Sequence, residues 1–120
     1  MTTRLSAGDL TTRAADISPS LRAIIDEHLR DGDELLLHVL MSDLRRWAVS
    51  AFYNLDDDQA VRTLLLLLDE ALRDGDEAVE NAVAVSFVAD ACSWQPRIAP
   101  FLAVWPAALR EEADRQQAAD

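Results

Sequence analysis

A leucine-rich stretch in the middle of the chain constrains the fold more than any other feature. Val61, Leu64, Leu65, Leu68 and Leu72 are separated by three or four residues, the spacing of one face of an α-helix. Only three Gly and four Pro occur in 120 residues, so little interrupts helix formation. We therefore predict an all-α protein with this helix at the centre of its core.

Capping residues and apolar spacing predict the other helices. Ser18 is a typical N-cap, and Pro19 suits the first helical position after it. The predicted helices cover about residues 7–15, 19–30, 33–53, 57–72, 76–92 and 101–112, the last bent or restarted at Pro106. The buried faces are predicted to include Leu36, Val39, Leu40, Leu44, Trp47, Ala51, Val79, Val83, Phe87 and Val88, and the last helix holds Phe101, Leu102, Trp105 and Leu109.

The hexapeptide LRDGDE occurs twice, 43 residues apart, beginning at Leu29 and at Leu72. In each copy Gly is predicted at a left-handed position after one helix, Asp is the N-cap of the next, and Glu lies in its first turn. These residues are Gly32, Asp33 and Glu34, then Gly75, Asp76 and Glu77. A calcium loop of the EF-hand kind is excluded, because position twelve is never Glu in any register that starts at an Asp of either copy.

The 43-residue period predicts one of two arrangements for a single domain spanning residues 1–120. One is a compact bundle of about five to six antiparallel helices, and the other is a pair of HEAT-like stacked hairpins. Segments 1–17 and 113–120 are expected to be loosely attached. In the stacked arrangement both turns lie on one edge and form an acidic ridge, consisting of Asp31, Asp33, Glu34, Asp74, Asp76, Glu77 and Glu80.

The formal net charge of −11 favours a basic protein partner and disfavours nucleic acid and anionic membranes. The alternative is that acidity only keeps the protein in solution. No apolar run approaches the roughly 20 residues of a membrane span, and a secretory leader is not apparent. The single Cys92 cannot form an internal disulfide, so we expect a cytoplasmic protein. We also expect it to be a monomer or a homodimer.

No catalytic or metal-binding pattern is present, so we expect no enzymatic activity and no cofactor. A site built from His38, Asp43 and Cys92 would require distant positions to converge, and His38 is more simply a packed histidine beside Asp43. Asn81 and Ser86 form either a polar notch for a partner or hydrogen bonds to a neighbouring helix. Trp94 and Trp105 flank a Pro-containing linker and are expected to be partly exposed interface anchors.

Three stretches of residues 25–112 resemble a family of small uncharacterised bacterial helical proteins. The matching residues are Glu34, Leu35, Leu36, His38, Asp43 and Trp47, then Asn81, Ala84, Val85, Ser86, Phe87 and Val88, then Pro106 and Leu109. Leu37 departs from the pattern, which usually has Pro there. Proteins of this kind look like immunity proteins that neutralise toxins. The resemblance thus implies an inhibitor that occludes a basic toxin or enzyme, and the alternative is a homodimeric scaffold domain.

Overall fold

The computed structural model describes residues 4–30, 37–89 and 98–119. Within these ranges the chain forms seven α-helices and one π-helical segment, and no strand longer than an isolated bridge. The α-helices are α1 (Ala7–Ala15), α2 (Pro19–Arg30), α3 (Leu37–Tyr53), α4 (Asp58–Asp74), α5 (Glu77–Ala82), α6 (Ala99–Ala103) and α7 (Ala107–Ala119). The π-helical segment Val83–Ala89 continues α5 directly. The all-α prediction is confirmed.

Local capping fixes several helix starts. The Ser6 hydroxyl accepts the Asp9 N–H at 3.1 Å, and the Asp9 carboxylate accepts the Ser6 N–H, which completes a capping box for α1. The Ser18 Oγ accepts the Leu21 N–H at 3.1 Å, as predicted for the start of α2. The Asp76 carboxylate accepts the Val79 N–H at 2.9 Å and caps α5.

Helix α4 lies at the centre of the core, as its leucine spacing predicts. It contacts α1, α3, α5, the π-helical segment and α7. Its inward face consists of Val61, Leu64, Leu65 and Leu68, each at most 1% exposed. The predicted inward residues of the following helix are also fully buried, and these are Val79, Val83, Phe87 and Val88.

The predicted inward face of α3 is partly wrong. Val39 is 48% exposed, whereas Met41 and Ala48 are fully buried beside Leu40 and Leu44. Val39 follows Leu36 by three residues and Met41 precedes Leu44 by three, so periodicity alone does not select between them. The orientation is set by packing of α3 against α2, α4 and the π-helical segment.

The first and last described helices, α1 and α7, pack against the core. Leu10 and Ala14 of α1 are fully buried, although residues 1–17 were expected to be loosely attached. Helix α7 continues through the polar tail to Ala119, and Ala113 within it is 3% exposed. Gln116 donates from Nε2 to the Ala84 carbonyl at 3.0 Å, so the tail also binds the π-helical segment.

Gly75 does not have the predicted left-handed conformation. Its φ of −73° and ψ of 156° are extended, and it pairs with Leu5 in an isolated parallel bridge. The Leu5 N–H donates to the Asp74 carbonyl, and the Asp76 N–H donates to the Leu5 carbonyl, both at 2.9 Å. Because the chain leaves α4 by pairing with an N-terminal segment, the turn needs an extended residue.

The left-handed position after a helix is occupied by Leu55 instead, at the end of α3. Its φ is 53°, its N–H donates to the Phe52 carbonyl, and the Asp56 N–H donates to the Ala51 carbonyl at 2.9 Å. These two bonds define a Schellman motif, in which Gly usually occupies the left-handed residue. Leucine in this conformation costs about 1 kcal/mol or more.

Candidate functional site

An acidic turn joins α4 to α5, and we define it as Asp74, Asp76, Glu77 and Glu80. Asp76 is committed to the cap of α5, while Asp74, Glu77 and Glu80 are exposed. None of these three carboxylates forms an ion pair within the described residues. Glu77 and Glu80 lie in the first turn of α5, where the helix dipole favours negative charge.

The backbone holds the acidic turn in one position. The bridge to Leu5 fixes the turn from one side, and Arg4 Nη1 donates to the Gly75 carbonyl at 3.1 Å. Any side chain at position 75 would clash with the backbone, because its Cβ would lie 2.3 Å from the Ala71 carbonyl oxygen. The carboxylates are therefore presented on a closely packed support and not on a free loop.

An open cleft of about 760 Å³ adjoins the acidic turn and is lined by Glu77, Ala78, Glu80, Asn81 and Ala84. Its charged groups are carboxylates, and no described arginine lines it. Such a surface attracts cationic groups from solution. The two alanines of its lining, Ala78 and Ala84, lie on the same continuous helical stretch as the two acids.

Beside this cleft, three polar side chains join α3 to α5 and the π-helical segment. His38 Nδ1 lies 2.8 Å from Ser86 Oγ, and Asn81 Nδ2 lies 3.5 Å from His38 Nε2. Which partner donates in each contact depends on the tautomer of the His38 ring, because each ring nitrogen can donate or accept. The three residues form hydrogen bonds between helices. This agrees with the prediction that Asn81 and Ser86 bond to a neighbouring helix, which was the alternative to a polar notch for a partner.

The expected pairing of His38 with Asp43 is wrong. Asp43 forms an ion pair with Arg46 one turn along the same helix, whereas His38 turns toward the π-helical segment. His38 and Asn81 are one 43-residue period apart, so equivalent positions of the two repeats meet each other. Cys92 lies outside the described residues, and within them no group of three His, Cys, Asp or Glu side chains could hold a metal ion.

The predicted exposure of Trp105 is wrong. Trp105 is 5% exposed and packs its ring against Phe87, with ring centroids 5.7 Å apart, and against Phe101 at 5.6 Å. The short helix α6 ends just before Trp105 and turns the ring inward, which the linker composition did not reveal. The other predicted contact residues Asp31, Asp33, Glu34 and Trp94 lie outside the described residues. Whether the two acidic turns share one edge stays a prediction.

A second charged feature, not predicted from the sequence, joins α1 to α4. Arg13 forms a bidentate ion pair with Glu70, and its Nη2 lies 3.2 Å from Glu70 Oε1. This pair separates an open cleft of about 530 Å³, which includes Arg4 and Asp74, from a smaller one of about 180 Å³, which includes Leu66. The hydrogen bond from Arg13 lowers the pKa of the Glu70 carboxyl below its ordinary value. The same bond raises the pKa of the Arg13 guanidinium.

Glu70→Gln is expected to lower the free energy of unfolding at pH 7 by about 0.2–1 kcal/mol, the range of an exposed ion pair. A lowered pKa in the folded state stabilises the protein above the unfolded-state pKa of about 4.3, and this contribution is lost as pH falls through the folded-state pKa. The difference between wild type and variant should therefore vanish in acid, as measured by urea unfolding from pH 7 to 2. Glu111→Gln, at an exposed position of α7 with no described ion pair, is the control, and a difference that persists below pH 3 would contradict the assignment.

No helix within the described parts of the chain has the length and apolar content needed to cross a membrane. The helices and their contacts define a small all-α domain with the acidic turn exposed on its surface. Residues 11–119 match the family described as a domain of unknown function, DUF7674, and since this covers most of the chain, the protein belongs to that family. No curated protein and no solved structure matches the chain. The match confirms that the chain resembles a family whose function is unknown. It does not extend to the predicted bacterial origin or to the likeness to immunity proteins.

Proposed function

We propose that this protein is a non-catalytic protein-binding module, most concretely an immunity-type inhibitor that occludes a basic toxin or enzyme with its acidic turn. The supporting observation is the set of three exposed carboxylates without a described ion pair, Asp74, Glu77 and Glu80. Glu77 and Glu80 line one open cleft, and Asp74 lines another that also includes Arg4. Elsewhere in the described residues, six arginines are each paired with a carboxylate. The charges of these carboxylates are therefore neutralised within the molecule.

Binding would begin with long-range attraction between the acidic turn and the basic surface of the partner. Steering of this kind raises the association rate and weakens as salt screens the charges over about 8–10 Å. Asp76 contributes less than its three neighbours, because its carboxylate already accepts the Val79 N–H. The inhibitor would act by covering the partner's surface and would need no chemistry of its own.

Reversal of the three free charges, Asp74→Lys with Glu77→Lys and Glu80→Lys, is expected to slow association with the partner by about tenfold or more at low salt. The dissociation rate should change less. The partner is first isolated on the immobilised wild-type protein at low salt, and the rates are then measured by surface plasmon resonance at 50 to 500 mM salt.

The matched control changes the net charge equally at three exposed acids without a described ion pair, by Asp26→Lys, Glu111→Lys and Asp114→Lys. Equal slowing in both triple variants would show that net charge alone acts and would remove the acidic turn from the proposal. A salt-independent association rate would also contradict it. Inhibition is tested by co-expression, since a toxic partner should be tolerated only with the wild-type or control protein. A concentration-independent dimer in light scattering, with no captured partner, would favour the scaffold alternative.

A further inference from the structure

The turn between α3 and α4 carries a leucine that the fold does not use. Leu55 is 88% exposed, more than any other large apolar residue among those described, and Leu66 follows at 61%. Its backbone is held left-handed by the Schellman bonds to Phe52 and Ala51. The fold needs only the backbone of this residue, for which glycine or asparagine is better suited.

Leucine is therefore unfavourable here on two counts, because its backbone is strained and its side chain is surrounded by water. A single exposed apolar residue is ordinary, but one that is also held in a left-handed conformation lowers stability without any contact in return. Strain of this sort is found where a side chain serves binding. The backbone is also held on the other side of Leu55, because Asp57 is the N-cap of α4.

The surroundings of Leu55 define the chemistry of what would cover it. Asp56, Asp57 and Asp58 follow directly and are all exposed, and Tyr53 is 43% exposed just before the turn. Only Asp58 of the three forms an ion pair among the described residues, with Arg62 at 3.1 Å. An apolar group followed in sequence by exposed carboxylates is complementary to an apolar pocket that is bordered by arginine or lysine.

We propose that Leu55 is the apolar anchor of a protein interface, inserted into a pocket of a partner protein whose rim is basic. Asp56 would face that rim, and Leu55 would fill the pocket as a buried hot spot. Asp57 contributes less, because its carboxylate accepts the Ala60 N–H. This surface differs from the acidic turn, because the two lie at opposite ends of the 17-residue helix α4, about 25 Å apart. The inference does not rest on the proposed inhibitory function.

The variant Leu55→Gly tests the proposal without the risk that a loss of binding reflects misfolding. It removes the side chain and relieves the strained backbone, so we expect Tm to rise by about 2–8 °C. It should at the same time weaken binding of the partner by about 30-fold or more, the effect of a hot-spot residue. The control is Leu66→Ala, at the other highly exposed leucine, for which binding should change less than about twofold.

The partner is found with the full chain carrying a photo-reactive benzoylphenylalanine at position 55 or, as a control, at position 66. After irradiation in the producing cells, the protein that is crosslinked only from position 55 is identified and purified, and its affinity is measured by calorimetry for wild type, L55G and L66A. An affinity for L55G within twofold of wild type would overturn the proposal, as would equal crosslinking from both positions. If the crosslinked species were a second copy of this acidic chain, the proposal of a partner with a basic rim would be wrong. If the Tm of L55G were lower than that of wild type, the claim that the Leu55 backbone is strained would be wrong.

Discussion

Gly75→Ala is expected to lower the free energy of unfolding by about 1–3 kcal/mol, the cost of forcing an extra group into closely packed surroundings. A Cβ at this position would lie 2.3 Å from the Ala71 carbonyl oxygen and 2.7 Å from Val79 Cγ1. The carbonyl belongs to α4 and cannot move away without loss of the hydrogen bond that it accepts from the Gly75 N–H at 2.9 Å. Chemical denaturation of the purified variant measures the change.

Two further variants separate this clash from a conformational requirement. Asparagine tolerates a left-handed backbone, so Gly75→Asn would be mild if Gly75 were left-handed, but the clash makes it at least as harmful as alanine. Gly8→Ala adds the same methyl group to α1, where its nearest other contact is Ser6 Oγ at 3.9 Å, and should instead stabilise by about 0.5–1 kcal/mol. A wild-type stability for Gly75→Ala would contradict the observed geometry of the turn.

Asp69→Ala is expected to have an effect of similar size, about 1–3 kcal/mol, because it leaves a buried donor without a partner. Asp69 lies on α4 and its Oδ1 accepts the Leu109 N–H of α7 at 3.1 Å. Leu109 is the third residue of α7, whose first amides have no partner within the helix. The carboxylate therefore caps a helix that begins nearly forty residues later in the chain.

The consequences of Asp69→Ala should be concentrated in α7. Hydrogen exchange of the Leu109 amide and of the first turn of α7 should accelerate more than exchange in α4. Asp69→Asn retains an oxygen acceptor and should be milder. Asp58→Ala is the control, since it removes only the exposed ion pair with Arg62 and should cost less than about 1 kcal/mol. Equal stability of Asp69→Ala and wild type would show that water satisfies the Leu109 amide.

The sequence predicted those features whose causes lie within a few residues of each other. Ser18 and Asp76 each cap a helix through an amide three residues later, and Pro106 separates α6 from α7 because it cannot continue a helix. Of the acidic residues of the second hexapeptide, Asp74 and Glu77 are exposed, whereas Asp76 is partly buried as the N-cap of α5. The glycine beside them was assigned to the wrong conformation, because its true role depends on the N-terminal segment that pairs with it.

Helix identity and the central position of α4 were thus determined by the sequence itself, through apolar spacing and short-range hydrogen bonds that any local segment carries with it. Tertiary structure alone decided the bond of Asp69 to Leu109, the contact of His38 with Ser86 and the burial of Trp105. These residues contact partners that are distant in sequence or on the other side of a turn. Local periodicity does not specify which helices pack against each other. Leu55 belongs to both groups, since its left-handed position is local while its exposure became evident only in the folded molecule.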